Sequence, residues 1–120
     1  MAAMDCELCT PTDMLLENEQ AYAQFERDSL SRGHVIVVPR RHVADFFHMR
    51  TGEQDAVSQL LREAHAYITK HFAPDGFNMG VNIGRAAGQN RMHVHVHLIP
   101  RYAGDVADPK GGIRAVLSKT

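Results

Sequence analysis

The chain has 120 residues, of which 44% are hydrophobic and 22% charged, proportions that fit one globular domain with a modest core. A formal net charge of −1 excludes the global basic bias of a protein that coats a nucleic-acid polymer or an anionic membrane surface, while a local pocket for a small anion stays open. No apolar run approaches the length of a membrane span, and the N-terminus lacks the positive-then-apolar order of a secretory signal. The expectation is therefore a single domain over residues 1–120 that works in the cytoplasm.

In chain order, the first feature is Cys6-Glu7-Leu8-Cys9. In a reducing compartment this spacing reads as half a zinc site or as a redox pair. A redox motif of the thioredoxin type would follow a strand and open a helix, whereas Pro11 follows here. Residues 14–17 and 21–26 read as two short strands around a turn at Glu17-Asn18-Glu19, and residues 28–33 as a loop. His34-Val35-Ile36-Val37-Val38-Pro39 is a β-branched run stopped by proline, the pattern of a buried strand. Residues 51–72 form the one long predicted helix. Thr51 and Gln54 suit a capping box, and Val57, Leu60, Leu61, Ala64 and Ile68 recur on one apolar face directed at the core. His48, His65 and His71 read as surface or packing residues. Pro74-Asp75-Gly76 is a turn, residues 77–83 alternate as a strand, and residues 84–90 form a loop with two glycines. Residues 101–120 are rich in Gly and Asp and should wrap the surface. The fold class is α+β, with about five antiparallel strands and one major helix on one face.

The segment Met92-His93-Val94-His95-Val96-His97-Leu98-Ile99-Pro100 carries most of the functional information. Side chains two apart share one face of a strand, so three imidazoles line one face while Val94, Val96 and Leu98 point into apolar packing. Three exposed imidazoles on a strand have no packing use, which favours chemistry over a histidine-rich strand without a role. Neighbouring histidines should stand about 7 Å apart and the outer two about 13 Å. A zinc ion sits about 2 Å from its imidazole nitrogens. One ion could take two neighbours but not all three, so the three must divide their labour.

The run His93-Val94-His95-Val96-His97-Leu98-Ile99 resembles the defining motif of the histidine triad (HIT) family, and other segments agree in order. Gly33-His34-Val35-Ile36-Val37-Val38-Pro39-Arg40-Arg41-His42 is similar to the strand-and-histidine segment of that family. Asn82-Ile83-Gly84 and Ala87-Gly88-Gln89 resemble its phosphate-side loop, and Leu98-Ile99-Pro100-Arg101-Tyr102 its exit from the triad strand. The tail from Gly104 to Gly112 resembles bacterial and archaeal members often labelled dinucleoside polyphosphate hydrolases.

The resemblance implies a HIT-like fold and a nucleotidyl hydrolase. It would cleave dinucleoside polyphosphates or nucleoside phosphoramidates through a nucleotidyl-histidine intermediate and release a nucleoside monophosphate. It assigns the nucleophile to His95 and donation to a phosphate oxygen to His97, with His34 beside the triad. Imidazole suits the nucleophile because it is mostly neutral near pH 7 and forms a labile phosphoramidate. Asn82, Gln89 and Asn90 would meet the phosphates through their amides, and Gly84 and Gly88 would let the backbone come close. Two positions depart from the family pattern. Asn90 stands where Ser or Thr is usual, and Glu26 takes the ribose-contacting place of Asp or Asn.

The resemblance to a zinc-bearing subset of the family implies that Cys6, Cys9, His42 and His93 hold a structural zinc ion rather than a Lewis acid. It implies no organic cofactor. The expected partner is a purine nucleotide or dinucleotide, with no nucleic-acid polymer and no membrane, and the expected assembly is a homodimer. Arg40, Arg41, Arg85, Arg91 and Arg101 cluster in sequence around the proposed site and could favour a polyanionic substrate. Three other readings stay open: a transferase that passes the nucleotidyl group to phosphate, a nucleotide-binding regulatory module with little turnover, and a hydrolase using a metal-activated water.

Overall fold

A computed structural model describes residues 6–112. In chain order the elements are β1 (Leu16–Glu17), β2 (Ala21–Phe25), β3 (Val35–Pro39), α1 (Thr51–Phe72), β4 (Gly76–Gly80) and β5 (Val96–Arg101), with 3-10 turns at Glu7–Cys9, Phe46–His48 and Arg85–Ala87. The strands form one sheet in the order β1-β2-β3-β5-β4, antiparallel at every step. This is the expected α+β architecture of a five-stranded sheet with one main helix. The expected surface-wrapping tail is described only as far as Gly112; the rest lies outside the described residues.

Strand parity sorts the residues between the two faces of the sheet. Val35 and Val37 join Ala21, Ala23, Val96 and Leu98 against Val57, Leu60, Ala64 and Ile68 of α1. Leu60 and Ile68 are fully buried there, each contributing about 2 kcal/mol by removal of its apolar surface from water. Ile36, Val38 and Tyr22 face the other way and are covered by Leu8 of the N-terminal turn. The Tyr22 hydroxyl donates to the Leu8 carbonyl and fastens that turn to the sheet. His97 is paired with Ile36 in the β3–β5 ladder, so it belongs to the face away from α1. A reactive surface can form there because α1 covers only the opposite face.

The capping of α1 is displaced by one residue from the Thr51 and Gln54 expectation. Arg50 is the N-cap, and its N–H donates to the Glu53 carboxylate at 2.8 Å. Glu53 is favoured because its two oxygens also take the Arg41 guanidinium, each at 2.9 Å, so one buried carboxylate closes both the helix start and the chain leaving β3. At the other end, Gly33 has φ of 86°, and a Cβ there would stand 3.0 Å from the Phe72 ring, which explains a glycine beside the end of α1.

The strand limits are tighter than the sequence pattern. β4 ends at Gly80, opposite His97, so Asn82 and Ile83 lie outside the ladder although they continue the alternation. β5 begins only at Val96, which leaves His93 and His95 on the segment leading into the strand. Residues 14 and 15 lie ahead of β1, whose two residues are all that pair with β2, although the Leu15 N–H still donates to the Ala23 carbonyl at 2.8 Å.

Candidate active site and metal cluster

The imidazoles of His93, His95 and His97 are all buried, none more than 6% exposed, in contrast to the exposed strand face expected of them. The rings also lean together more closely than strand spacing suggests, with His95 and His97 centroids 5.0 Å apart. Burial is possible because each ring has a specific hydrogen-bond partner, and those partners decide which nitrogen each ring presents.

His93 Nε2 lies 2.7 Å from the Pro39 carbonyl oxygen. A carbonyl only accepts, so the proton is on Nε2 and the lone pair on Nδ1. That lone pair points at Cys6 Sγ and Cys9 Sγ, each 3.4 Å away, and Cys9 Sγ lies 3.2 Å from His42 Nδ1. The four donor atoms of Cys6, Cys9, His42 and His93 all lie within 4.8 Å of one another. Two thiols and two imidazoles are a complete tetrahedral donor set for zinc, and its S–N edges would be about 3.5 Å. The donor chemistry and the Pro39 carbonyl behind His93 therefore fit such an ion without rearranging the fold. Burial pushes the Cys6 thiol up, as does its hydrogen bond with Cys9, so a metal bound there would have to displace the thiol proton.

His95 reverses the arrangement. Its Nδ1 lies 2.9 Å from the His93 carbonyl oxygen, so Nδ1 holds the proton and the Nε2 lone pair faces the cavity. The third imidazole belongs to a relay. The Leu30 N–H donates to His34 Nδ1 at 3.0 Å, which places the proton of neutral His34 on Nε2; from there it is donated to His97 Nδ1, again at 3.0 Å. His97 is left with an Nε2–H donor. Burial pushes His34 down to about 4, and burial together with His95 and His34 pushes His97 down to about 4, so both rings are neutral at pH 7. Burial pushes His95 down as well, and its Nε2 lies 3.4 Å from Arg91 Nη2.

His95 and His97 open onto a cavity of about 480 Å³ whose lining also includes Glu26, Asn82, Gln89 and Asn90, large enough for a nucleotide. The structure thus brings together every residue proposed for the substrate. The roles differ in one respect: both ends of Gln89 are committed to the loop. Its Oε1 accepts from the Gly84 N–H at 2.8 Å, and its Nε2 donates to the Ala44 and Arg91 carbonyls at 2.8 and 3.1 Å. Gln89 braces the loop, while Asn90 is exposed and Asn82 half-buried at the cavity wall. Gly88, with φ of 92°, supplies the left-handed turn that aims this loop into the triad segment.

Glu26 is buried and bonded at 2.6 Å to Arg91 through Oε2, while its Oε1 is buried with no partner among the described residues. Burial acts to raise its carboxyl, but the Arg91 guanidinium and the nearby imidazoles hold it below its ordinary value. Of the arginines near the site in sequence, Arg40 pairs with Glu17, Arg41 with Glu53 and Arg101 with Asp105, while Arg85 is exposed. Arg91 alone of the five lines this cavity. Its parity with 93, 95 and 97 was the available signal. The backbone groups of Leu30, Pro39 and His93 left no such signal. His65 and His71 lie away from the site, packed against Phe77 and Tyr67, and His48 is exposed, as expected of all three.

Set beside known proteins, the chain belongs to the HIT domain family: that family's model matches residues 8–104. It is 34% identical over 86 residues to an uncharacterised HIT-like protein of Mycoplasma pneumoniae, covering 72% of this chain and 60% of that one. It is 34% identical over 85 residues to the AP-4-A phosphorylase of Mycobacterium tuberculosis, covering 70% of this chain and 44% of the phosphorylase. Its length therefore spans about half of these curated relatives. Among solved structures, a HIT family protein of Bacillus anthracis superposes with a TM-score of 0.78 at 27% identity, covering 98% of this chain and 93% of that one. A Zn-bound histidine triad family protein of Mycobacterium smegmatis shares the fold with a TM-score of 0.76 at 24% identity, covering 97% and 95%. Among the described residues no helix is long and apolar enough to cross a membrane.

Proposed function

We propose that the protein is a nucleotidyl hydrolase that cleaves dinucleoside polyphosphates or nucleoside phosphoramidates through a nucleotidyl-His95 intermediate. The observation that carries this reading is the 2.9 Å contact between His95 Nδ1 and the His93 carbonyl, which leaves the Nε2 lone pair directed at the cavity. Nε2 attacks the α-phosphorus and the bond to the leaving group breaks: a polyphosphate oxygen departs as an anion with the electron pair, and a phosphoramidate nitrogen departs as the neutral amine after taking a proton from solvent. The His93 carbonyl holds the proton of the ring as it becomes positive. Water then attacks phosphorus and the N–P bond breaks. Nucleoside monophosphate departs, the proton of the water passes to phosphate or solvent, and His95 returns to neutrality. His97 donates from Nε2 to a phosphate oxygen, and it is the Leu30–His34 relay that gives it a proton to donate. Glu26 takes the ribose hydroxyls, Asn82 and Asn90 the phosphates, and Gln89 the loop behind them.

The same logic weighs against a metal-activated water at Glu26, His95 and His97, whose donor atoms also converge within 4.8 Å. His97 offers a proton there instead of a lone pair, which leaves fewer ligands than a catalytic zinc needs. We place a structural zinc at Cys6, Cys9, His42 and His93, where it pins the N-terminal turn to the triad segment. The Zn-bound M. smegmatis neighbour supports this reading. Its chemistry would be confined to holding those four side chains. The remaining parts of the proposal are one domain over the whole chain, a homodimer joined at sheet edges, a purine nucleotide substrate and a cytoplasmic location.

Likeness to the AP-4-A phosphorylase favours one second reading, in which phosphate takes the place of water. The test is brief, cold acid-quenched mixing with diadenosine tetraphosphate or adenosine phosphoramidate, followed by intact mass spectrometry of wild type and His95→Ala. An adenylyl adduct in wild type alone supports the covalent reading. No adduct and no turnover with either substrate class moves the reading to a binding module. Products formed with inorganic phosphate present separate the two acceptors: AMP marks water and ADP marks phosphate.

A further inference from the structure

Arg91 is not accounted for by the roles above, and three observations converge on it. Its Nη2 bonds the buried Glu26 carboxylate at 2.6 Å and lies 3.4 Å from His95 Nε2, the lone pair that faces the cavity. Its Nη1 reaches Glu7 at 3.3 Å, so carboxylates hold the guanidinium from two sides. Its side chain is only 17% exposed, so it is fixed in place rather than a solvated surface charge.

We propose that Arg91 is a further catalytic residue: its guanidinium binds the non-bridging oxygens of the phosphoryl group seated on His95 and offsets the charge that gathers there. A phosphorus in position for attack stands about 3 Å from Nε2. Its lateral oxygens then come within hydrogen-bond reach of a guanidinium already 3.4 Å from that nitrogen. A planar, permanently charged fork suits two phosphate oxygens, and cations at this place act where transition-state charge accumulates. His97 and Arg91 would thus hold the phosphoryl group together, the imidazole as neutral donor and the guanidinium as counter-charge. Binding also exchanges partners. The phosphate takes Nη2 from Glu26, and the freed carboxylate, whose Oε1 has no partner among the described residues, turns to the ribose hydroxyls. Arg91 touches the transferred group and not the leaving group, which lies on the far side of phosphorus in an in-line attack.

The inference rests on the nucleotidyl-histidine reading for its chemistry, but its phosphate contact can be tested without turnover. The variants are Arg91→Gln, Arg91→Lys, Arg91→Ala and the pair Glu26→Gln with Arg91→Gln, the last removing the buried carboxylate that the single change would leave without its guanidinium. The expected result is a loss of about 10²–10³-fold in the single-turnover rate of His95 adenylylation in Arg91→Gln, smaller in Arg91→Lys. The loss should be the same within about threefold for diadenosine tetraphosphate and adenosine phosphoramidate. The double variant should regain thermal stability without regaining rate, and added guanidinium ion should partly restore Arg91→Ala. By calorimetry, wild type should bind AMP more tightly than adenosine, and Arg91→Gln should lose most of that difference. An unchanged rate, or a loss confined to the tetraphosphate, overturns the proposal, because the second result would put Arg91 on the leaving group. So does an unchanged AMP-to-adenosine difference. If wild type forms no adduct, the covalent reading fails by itself, and the AMP-to-adenosine difference still decides whether Arg91 binds the phosphate.

Discussion

His93 and His95 stand two residues apart, both buried, in the same repeat of sequence, and present opposite ring nitrogens. His93 gives its Nε2 proton to Pro39 and turns Nδ1 to the two cysteines; His95 gives its Nδ1 proton to the backbone of His93 and turns Nε2 to the cavity. One imidazole is thereby suited to a metal and the other to phosphorus. The difference lies in neither side chain. It lies in which carbonyl the fold brings to which nitrogen, and a single peptide unit serves both sites, since His93 contributes its ring to one and its carbonyl to the other.

If this division holds, His95→Ala should give the largest effect, a fall of about 10⁴-fold or more in turnover, with the metal content unchanged by elemental analysis. Equal loss of metal in that variant would mean that the two sites are not separable. Cys9→Ser is the complementary break. It should abolish stoichiometric zinc and lower the melting temperature by about 10 °C or more, while the protein that stays folded still forms the adduct. Rapid loss of activity on chelation, ahead of any change in circular dichroism, would contradict a structural ion. Next in size is His34→Gln, which disturbs the proton relay behind His97. Adduct formation should slow by about 10–100-fold with zinc binding intact, since partners behind a functional imidazole carry effects of that order.

The pH response sharpens the comparison further. His34 and His97 are held at about 4 by burial, with Glu26, His95 and Arg91 as the charged or titratable neighbours, against about 6.5 in the unfolded chain. Below pH 6.5 the unfolded chain takes up protons that the folded chain refuses. The stability that these neutral rings contribute is therefore complete above pH 6.5 and lost as pH falls towards 4, up to about 3 kcal/mol for each ring. Thermal unfolding from pH 7.5 to 4.5 should show this decline, with a shallower slope in His34→Gln. The smallest effect is expected for Ile68→Val in α1, about 1 kcal/mol, measured by urea unfolding. It should leave adduct formation and zinc affinity alike untouched, because that helix packs on the opposite face of the sheet.

The elements whose pattern repeats locally were legible in advance. The helix over 51–72 followed from its apolar stripe, β3 from its β-branched run, and the shared face of the triad from its period of two. The cysteine pair was legible as half of a candidate ligand set, and His42 and His93, the candidate other half, came with the resemblance. The ends of elements were less legible. The alternation through Ile83 continues past the last residue with a partner in β5, and the N-cap of α1 moved one residue because Glu53 also answers Arg41. Arg91 was one of five similar arginines until the fold gave the other four different surroundings.

What the sequence by itself determined was side-chain identity and phase: which residues could bind, attack or pack, and which of them share a face. These are local quantities, set by the repeat of backbone dihedrals from one residue to the next. Only the tertiary structure decided where the protons sit. The Pro39 carbonyl lies 54 residues before His93, and His34 lies 63 residues before His97. A backbone carbonyl or N–H is chemically the same at nearly every position, so no residue type announces it. The difference between the three imidazoles, one turning a lone pair to two thiols, one a lone pair to the cavity and one a proton to it, therefore arises where β3, β5 and the Leu30 loop meet, because that meeting fixes which nitrogen of each ring is already bonded.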